Sequence, residues 1–108
     1  MEINEYQKLA LKTNNGQLDK DMMLLNSALG LAGESGEVVD IIKKYYFHSH
    51  NLDKQQLIKE LGDVCWYIAQ CCFAIDTDME TVMEENIRKL AKRYPNGFNS
   101  MDSINRKD

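Results

Sequence analysis

The stretch GLAGESGEVVDIIKK, residues 30–44, places acidic side chains on a helix face that should be apolar. Successive residues of an α-helix are about 100° apart, so the aliphatic residues of this stretch gather on one face around Val38. Glu34 falls within that face and Glu37 lies at its edge. A carboxylate turned towards a core is costly unless a positive group meets it. The stretch therefore predicts a cation beside these acids.

A second stretch, KELGDVCWYIA at residues 59–69, repeats the pattern. Its helix carries an apolar stripe formed by Leu57, Leu61, Val64, Ile68, Cys71 and Ile75. Glu60 lies on the flank of this stripe and Asp63 lies just outside it. Antiparallel packing of the two helices would let the four acids converge, and like charges that close need a cation to stay ionised. Oxygen ligands in this number favour Mg²⁺, or Mn²⁺ as a substitute, over Zn²⁺.

Working outward, helical spacing of apolar residues predicts four helices. They cover about residues 3–13, a segment from 19–22 to 47, residues 54–75, and a segment that ends at Tyr94. Asp53 with Gln56, and Thr77 with Glu80, resemble capping boxes for the last two. Short connections between long amphipathic helices favour an all-α, antiparallel four-helix bundle. One domain is expected over residues 1–98, followed by a polar, frayed tail over 99–108.

Three glycines at a spacing of three, Gly30, Gly33 and Gly36, lie inside the second predicted helix. Each lowers helix stability by about 1 kcal/mol relative to alanine. Their presence therefore indicates close approach by another helix or by a ligand. Trp66 lies off the apolar stripe of the third helix, which indicates a second interface, such as a dimer contact, or a surface for stacking a base; we favour the interface.

Composition excludes several classes of protein. The net charge of -4 argues against binding of polymeric nucleic acid, because a negative surface repels the phosphate backbone. Cysteines 65, 71 and 72 have no paired metal-ligand spacing and are predicted to be reduced core thiols of a cytoplasmic protein. The charged N-terminus is unlike a signal peptide, and no apolar run reaches the ~18 residues of a membrane span. No membrane partner is expected.

The fourth predicted helix carries a polar row beside its apolar stripe, formed by Asn86, Lys89 and Arg93. Such a row can bind phosphate oxygens, and it can equally be a solvated basic edge. Lys44 can stabilise the negative C-terminal end of its own helix, or it can face a ligand on the side of Glu37. Asp40 lies farther from the stripe and is interpreted as solvated.

A ferritin-like di-iron bundle is the natural rival, but it needs Glu-x-x-His motifs. Here the position three after Glu60 is Asp63 and the position three after Glu34 is Glu37. The two histidines, His48 and His50, fall in a predicted loop and are interpreted as surface residues.

Four segments together resemble the MazG-like all-α nucleoside triphosphate pyrophosphohydrolases. They are EYQKLALKT, LGLAGESGEVVDIIKK, KELGDVCWYIA and ENIRKLAKRYPNGF, and they extend over nearly the whole chain. The family pattern is two acidic pairs on adjacent helices, matched here by Glu34-x-x-Glu37 and Glu60-x-x-Asp63. The combination is specific, whereas each segment alone is weak.

The resemblance implies that these four acids hold Mg²⁺, which engages a triphosphate while water attacks to release a nucleoside monophosphate and pyrophosphate. Asn86, Lys89 and Arg93 would then bind phosphates or sugar, and Tyr67, one turn beyond Asp63, would line the nucleotide pocket with Lys44 nearby. Many members have Glu immediately before the first ligand, where this chain has Gly33. Either another acid assists the water or fewer metals bind.

Two hypotheses of function follow. The first is an Mg²⁺-dependent hydrolase of canonical or damaged (deoxy)nucleoside triphosphates with a housekeeping, pool-sanitising role, assembled as a homodimer or tetramer with sites near the interface. A single four-helix subunit has little surface with which to enclose a nucleotide, which favours the oligomer. The second is a non-catalytic helical interaction module whose acids bind a structural cation or a basic partner.

Overall fold

The structure is a computed structural model that describes residues 1–107. Over these residues the chain forms five α-helices and no strand, which confirms the all-α class. The helices are α1 (Ile3–Leu11), α2 (Lys20–Phe47), α3 (Lys54–Ala74), α4 (Met79–Arg93) and α5 (Ser100–Ile104). None of the helices in the described part of the chain is both long enough and apolar enough to cross a membrane.

Aspartates begin the three long helices. The side chain of Asp53 accepts a hydrogen bond from the backbone N–H of Gln56 at 3.0 Å, as predicted, but the Gln56 amide donates to Glu60 instead of closing a capping box. Helix α4 begins one residue later than predicted, because Asp78 rather than Thr77 accepts from the first-turn N–H groups. An aspartate oxygen is the stronger acceptor at this position.

The C-terminal segment differs from the expected frayed tail. Asn99 accepts a hydrogen bond from the backbone N–H of Asp102 at 2.9 Å and thereby caps α5. The prediction of fraying was wrong for residues 100–104, because a polar segment with a suitable cap forms a helical turn. The domain boundary placed at residue 98 stays a prediction.

Helices α2 and α3 form an antiparallel hairpin joined by residues 48–53. At Gly30 the backbone of α2 approaches the ring of Tyr67 so closely that a Cβ atom at this position would lie 2.5 Å from the Cδ1 atom of the ring, with two ring atoms closer still. A Cβ atom at Gly33 or at Gly36 would meet no neighbour within 4 Å. Within one chain, the predicted close approach by another helix is therefore confirmed at Gly30 and not at Gly33 or Gly36.

Helix α1 packs across α3 and fixes the start of α4 through one buried amide, Gln7, which is 5% exposed. Its Oε1 accepts from the backbone N–H of Met79 at 2.8 Å, and its Nε2 donates to the carbonyls of Ala69 and Thr77 at 3.5 and 3.4 Å. The buried hydrophobic residues Ala10, Ala69, Cys72 and Met79 form one cluster on these helices. The core therefore sits at the α1–α3–α4 junction.

Trp66 packs against this core, and its indole N–H donates to Thr13 Oγ1 at 2.7 Å. Trp66 therefore makes an intramolecular contact just beyond the end of α1, and an interface with a second copy at Trp66 stays a prediction. Of the three cysteines, all free, only Cys72 is buried; Cys65 is exposed, so the prediction of a core thiol was wrong there. The apolar stripe predicted on α3 is also buried only in part, because Leu61 and Ile75 are 48% and 55% exposed.

Helix α4 leaves the rest of the chain after its first turn. Every residue from Thr81 to Lys92 is exposed, including the apolar side chains of Met83, Ile87 and Leu90. The radius of gyration is 16.9 Å, whereas a compact domain of this length has a value of about 13 Å. Within one chain the described helices therefore do not close into the four-helix bundle predicted from the sequence.

Candidate metal centre

Three of the four predicted acids converge across the α2–α3 hairpin. Glu34, Glu60 and Asp63 each offer a carboxylate oxygen, and these oxygens all lie within 4.8 Å of one another. Glu34 and Glu60 are half-buried, while Asp63 is exposed. The convergence follows from antiparallel packing, because Gly30 against Tyr67 sets the register that brings Glu34 level with the first half of α3.

The electrostatics of this cluster, which we call the acid triad, are unfavourable without a cation. Partial burial raises the pKa of Glu34 above its ordinary value, and a hydrogen bond with Glu60 raises it further. The negative charges of Asp63, Glu60 and Glu37 act in the same direction. Within residues 1–107 no lysine or arginine contributes to this shift, so the described part of the chain supplies no positive partner to the carboxyl group of Glu34.

Glu37 lies outside the acid triad, although its charge reaches Glu34. It also lies close enough to Lys44 for its charge to raise the pKa of that ammonium group, an effect secondary to the hydrogen bond from Lys44 to Asp40. Lys44 Nζ lies 2.7 Å from the carboxylate of Asp40, whose pKa this contact lowers. Asp40 is therefore an ion-pair partner, whereas the sequence predicted a merely solvated side chain.

Tyr67 lies one turn beyond Asp63, with its ring against the backbone of α2 at Gly30. The ring meets that of Trp66 edge to face, with centroids 5.0 Å apart. Tyr67 therefore faces α2, whereas its neighbour Trp66 contacts Thr13 beyond the end of α1. Tyr6 of α1 comes close enough to feel the charge of Asp63, and its pKa is raised mainly by burial.

The predicted phosphate-binding row does not join the acid triad within this chain. Asn86 and Lys89 line a surface hollow whose lining residues, Val82, Glu85, Asn86, Arg88, Lys89 and Lys92, all belong to α4. Arg93, at the end of α4, is partly buried. The two histidines, His48 and His50, are both exposed, as predicted.

The donor set of the acid triad fits a hard divalent cation. All three groups are carboxylates, the ligands of Mg²⁺ and Mn²⁺, and within the described residues no histidine or thiol joins them. Adjacent ligands of octahedral Mg²⁺ are about 3.0 Å apart, given metal–oxygen distances of about 2.1 Å. The three carboxylates would hold such an ion together, with water or phosphate oxygens as further ligands.

The sequence reasoning missed two buried amides, Gln7 and Gln70, and one half-buried amide, Asn14. Gln7 links α1 to α3 and α4, as described above. Gln70 is 1% exposed and accepts a hydrogen bond from the Asn14 side chain at 2.5 Å. The sequence contained a signal for Gln70, because it is the one side-chain amide inside the apolar run WYIAQCCFAI at residues 66–75. A polar residue within such a run indicates a buried hydrogen bond.

The fold and the acid triad together define an all-helical protein with a cluster of three carboxylates on two neighbouring helices. Residues 24–98 match the model of the MazG nucleotide pyrophosphohydrolase domain, and the chain belongs to this family. It is also 33% identical, over 105 residues, to the gene 37 protein of Mycobacterium phage L5, a match covering 90% of this chain and 92% of the phage protein. No solved structure matches the chain significantly.

Proposed function

We propose that this protein hydrolyses nucleoside triphosphates to nucleoside monophosphates and pyrophosphate, with Mg²⁺ held by the acid triad. The observation that carries the proposal is the convergence of Glu34, Glu60 and Asp63 from two helices, with no positive side chain acting on Glu34. Membership of a family of nucleotide pyrophosphohydrolases supports it.

Each acid has a distinct part in this proposal. Mg²⁺ bound at the acid triad supplies charge neutralisation of the triphosphate and activation of a water molecule. The pKa of Glu34 is raised in the free protein, and a cation held at the site would lower it and favour the ionised carboxylate. Glu37 stays outside the triad and is exposed, which leaves it available to accept the proton of the attacking water or to join the metal.

The proposal is tested by measuring pyrophosphate release from a panel of nucleoside triphosphates in the presence of Mg²⁺. We expect release by the wild type and at least a hundredfold lower rate for Glu60→Gln and for Asp63→Asn. Asp40→Asn is the matched control, since Asp40 is an acid on α2 that pairs with Lys44 outside the triad. Mg²⁺ binding without pyrophosphate release from any nucleotide would favour the non-catalytic module instead.

We also propose that the working form is a homo-oligomer, a dimer or a tetramer, in which α4 packs against a second copy. The exposed apolar face of α4, with Met83, Ile87 and Leu90, has the length and spacing of a bundle helix without its partner. A second copy of the chain carries the same apolar face of α4, so a contact with two-fold symmetry would bury both faces against each other. The bundle expected from the sequence is then completed between chains.

This assembly would bring the polar row of α4 close to an acid triad. Because α4 leaves its own chain, we propose that Asn86, Lys89 and Arg93 act on the triphosphate bound by the acid triad of the partner copy. Sedimentation velocity provides the test of assembly: Ile87→Glu should convert the oligomer to monomer, whereas Glu84→Gln, at an exposed polar position of the same helix, should not. A monomeric wild type would refute this part of the proposal.

A further inference from the structure

Helix α2 carries a second apolar face, formed by positions that alternate in steps of three and four residues from residue 22 to residue 46. Six of these eight positions hold apolar or aromatic side chains: Met22, Leu25, Leu29, Ala32, Val39 and Tyr46. Gly36 and Lys43 hold the other two. All eight residues are exposed, and Leu29 and Val39 are 66% and 62% exposed. We call these eight residues the α2 outer face.

The α2 outer face lies opposite the side of the helix that packs on α3. At about 100° per residue, its centre is roughly 180° from Glu34. Met23 and Ser27, the buried residues of α2, lie on the same side as Glu34. A helix that is apolar on two opposite sides needs two partners, and α3 supplies only one of them.

The α2 outer face also gives a reason for two glycines that have no neighbour within the chain. Gly36 belongs to the face and Gly33 lies beside it, and a Cβ atom at either position would meet nothing within 4 Å. Together with Ala32 they make the middle of the face shallow, while Leu29 and Val39 project on either side of it. Small residues let another backbone approach closely, and the larger side chains then pack into the spaces between those of the second helix.

A second copy of the same chain matches the α2 outer face in one register. Alternating steps of three and four are the repeat of a coiled-coil seam. If two antiparallel copies are related by a two-fold axis at the level of Glu34, Ala32 faces the partner's Gly36 and Leu29 faces the partner's Val39. Small residues then meet at the centre and larger ones beyond it, and each contact occurs twice.

Charge selects the antiparallel arrangement over the parallel one. Lys43 is the one charged residue among the eight positions, and its Nζ lies 3.8 Å from the carboxylate of Asp40 at the edge of the face. Parallel copies in register would bring two Lys43 side chains together. The antiparallel register places Lys43 against the partner's Leu25 and separates the two lysine positions by about 27 Å along the axis. A lysine at one core position of a coiled coil specifies register in this way.

The size of the α2 outer face indicates what it joins. The face is about 36 Å long, and a strip about 10 Å wide covers on the order of 400 Å² per chain. A stable complex buries about 800 Å² per partner, so one such contact is too small to hold two single chains together. Two dimers joined through α4 would offer the face twice in a closed tetramer, and the two contacts would reinforce each other.

We propose that the α2 outer face is a second interface between copies of this chain, in which two α2 helices pack antiparallel about Ala32 and Gly36 and join two dimers into a tetramer. The tetramer rests on the α4 contact proposed above, whereas the pairing of the two α2 helices does not. Neither depends on nucleotide hydrolysis.

Disulfide trapping in the full chain tests the register. In a Cys65→Ser background, which removes the exposed native thiol, Ala32→Cys with Gly36→Cys should form a covalent dimer on mild oxidation, seen by non-reducing electrophoresis. Gln55→Cys with Lys59→Cys is the matched control, since these positions of α3 have the same spacing and are exposed outside both interfaces. We expect the first pair to cross-link at least tenfold faster than the control pair.

Sedimentation velocity of Leu29→Glu is the second measurement. The side chain of Leu29 is exposed, so the variant should keep the wild-type circular dichroism spectrum while its sedimenting mass falls by half. Equal cross-linking of the two cysteine pairs, or an unchanged mass for Leu29→Glu, would overturn the α2 contact. A dimeric wild type that Leu29→Glu converts to monomer would preserve the α2 contact and refute the α4 contact.

Discussion

Substitution of Gly30 by alanine tests the packing that sets the register of the α2–α3 hairpin. Three atoms of the Tyr67 ring would lie at 2.5 Å or less from the new Cβ, and carbon atoms in contact are normally about 3.5–4.0 Å apart. The ring must therefore move by more than 1 Å, roughly, against its neighbour Trp66. Overpacking of this kind costs about 1–3 kcal/mol, which exceeds the gain of up to about 1 kcal/mol from helix propensity.

We therefore expect Gly30→Ala to lower the free energy of unfolding by up to about 2 kcal/mol, the difference between these two effects. Each 1 kcal/mol lost corresponds to a decrease in Tm of about 4–8 °C for a small domain. Gly33→Ala, one turn along the same helix, meets nothing within 4 Å and should raise the free energy of unfolding by up to about 1 kcal/mol. The opposite signs distinguish packing from propensity.

The assay is thermal unfolding followed by circular dichroism at one fixed protein concentration, since assembly makes Tm depend on concentration. A double-mutant cycle adds Tyr67→Ala, which removes the ring and should make Gly30→Ala harmless. If Gly30→Ala and Gly33→Ala change Tm in the same direction, or if removal of the ring does not rescue Gly30→Ala, the close approach of Gly30 to Tyr67 is not what holds the hairpin in register.

Further predictions concern the junction, the metal and the assembly. Gln7→Leu leaves the buried N–H of Met79 without an acceptor and should lower the free energy of unfolding in urea by about 1–3 kcal/mol; an unchanged midpoint would contradict this. The raised pKa of Glu34 gives stability below its unfolded pKa that is lost as pH rises through its folded pKa. Mg²⁺ should consequently raise Tm more at pH 7 than at pH 4, with equal shifts arguing against the acid triad as its site. A mixture of Lys89→Ala and Asp63→Asn subunits should recover part of the activity that each variant lacks alone, and no recovery would argue against action across the interface.

Much of the acid triad was predictable because helical periodicity fixes angular position along the chain. Glu34 and Glu60 were placed beside apolar stripes by counting residues, and antiparallel packing was expected from the short connection at 48–53. The triad that forms contains three of the four predicted acids, since the position of Glu37 depends on the rotation of α2 about its own axis. That rotation is set by the contact of Gly30 with Tyr67, which no periodicity reveals.

The path of α4 was the main departure from expectation. Its apolar stripe was identified correctly, yet only Met79 at its start is buried in the chain. A stripe indicates that a helix needs a partner, and it does not say whether that partner belongs to the same molecule.

The amino-acid sequence by itself determined the helices, the carboxylates they carry and the family to which the chain belongs, because these depend on local order along the chain. Tertiary structure alone decided which carboxylates meet, that Trp66 turns to α1, and that Asn14 and Gln70 share one hydrogen bond between residues 56 positions apart. Such contacts depend on how helices are rotated and inclined against one another, and this geometry is set by side chains distant in sequence that fill the same space.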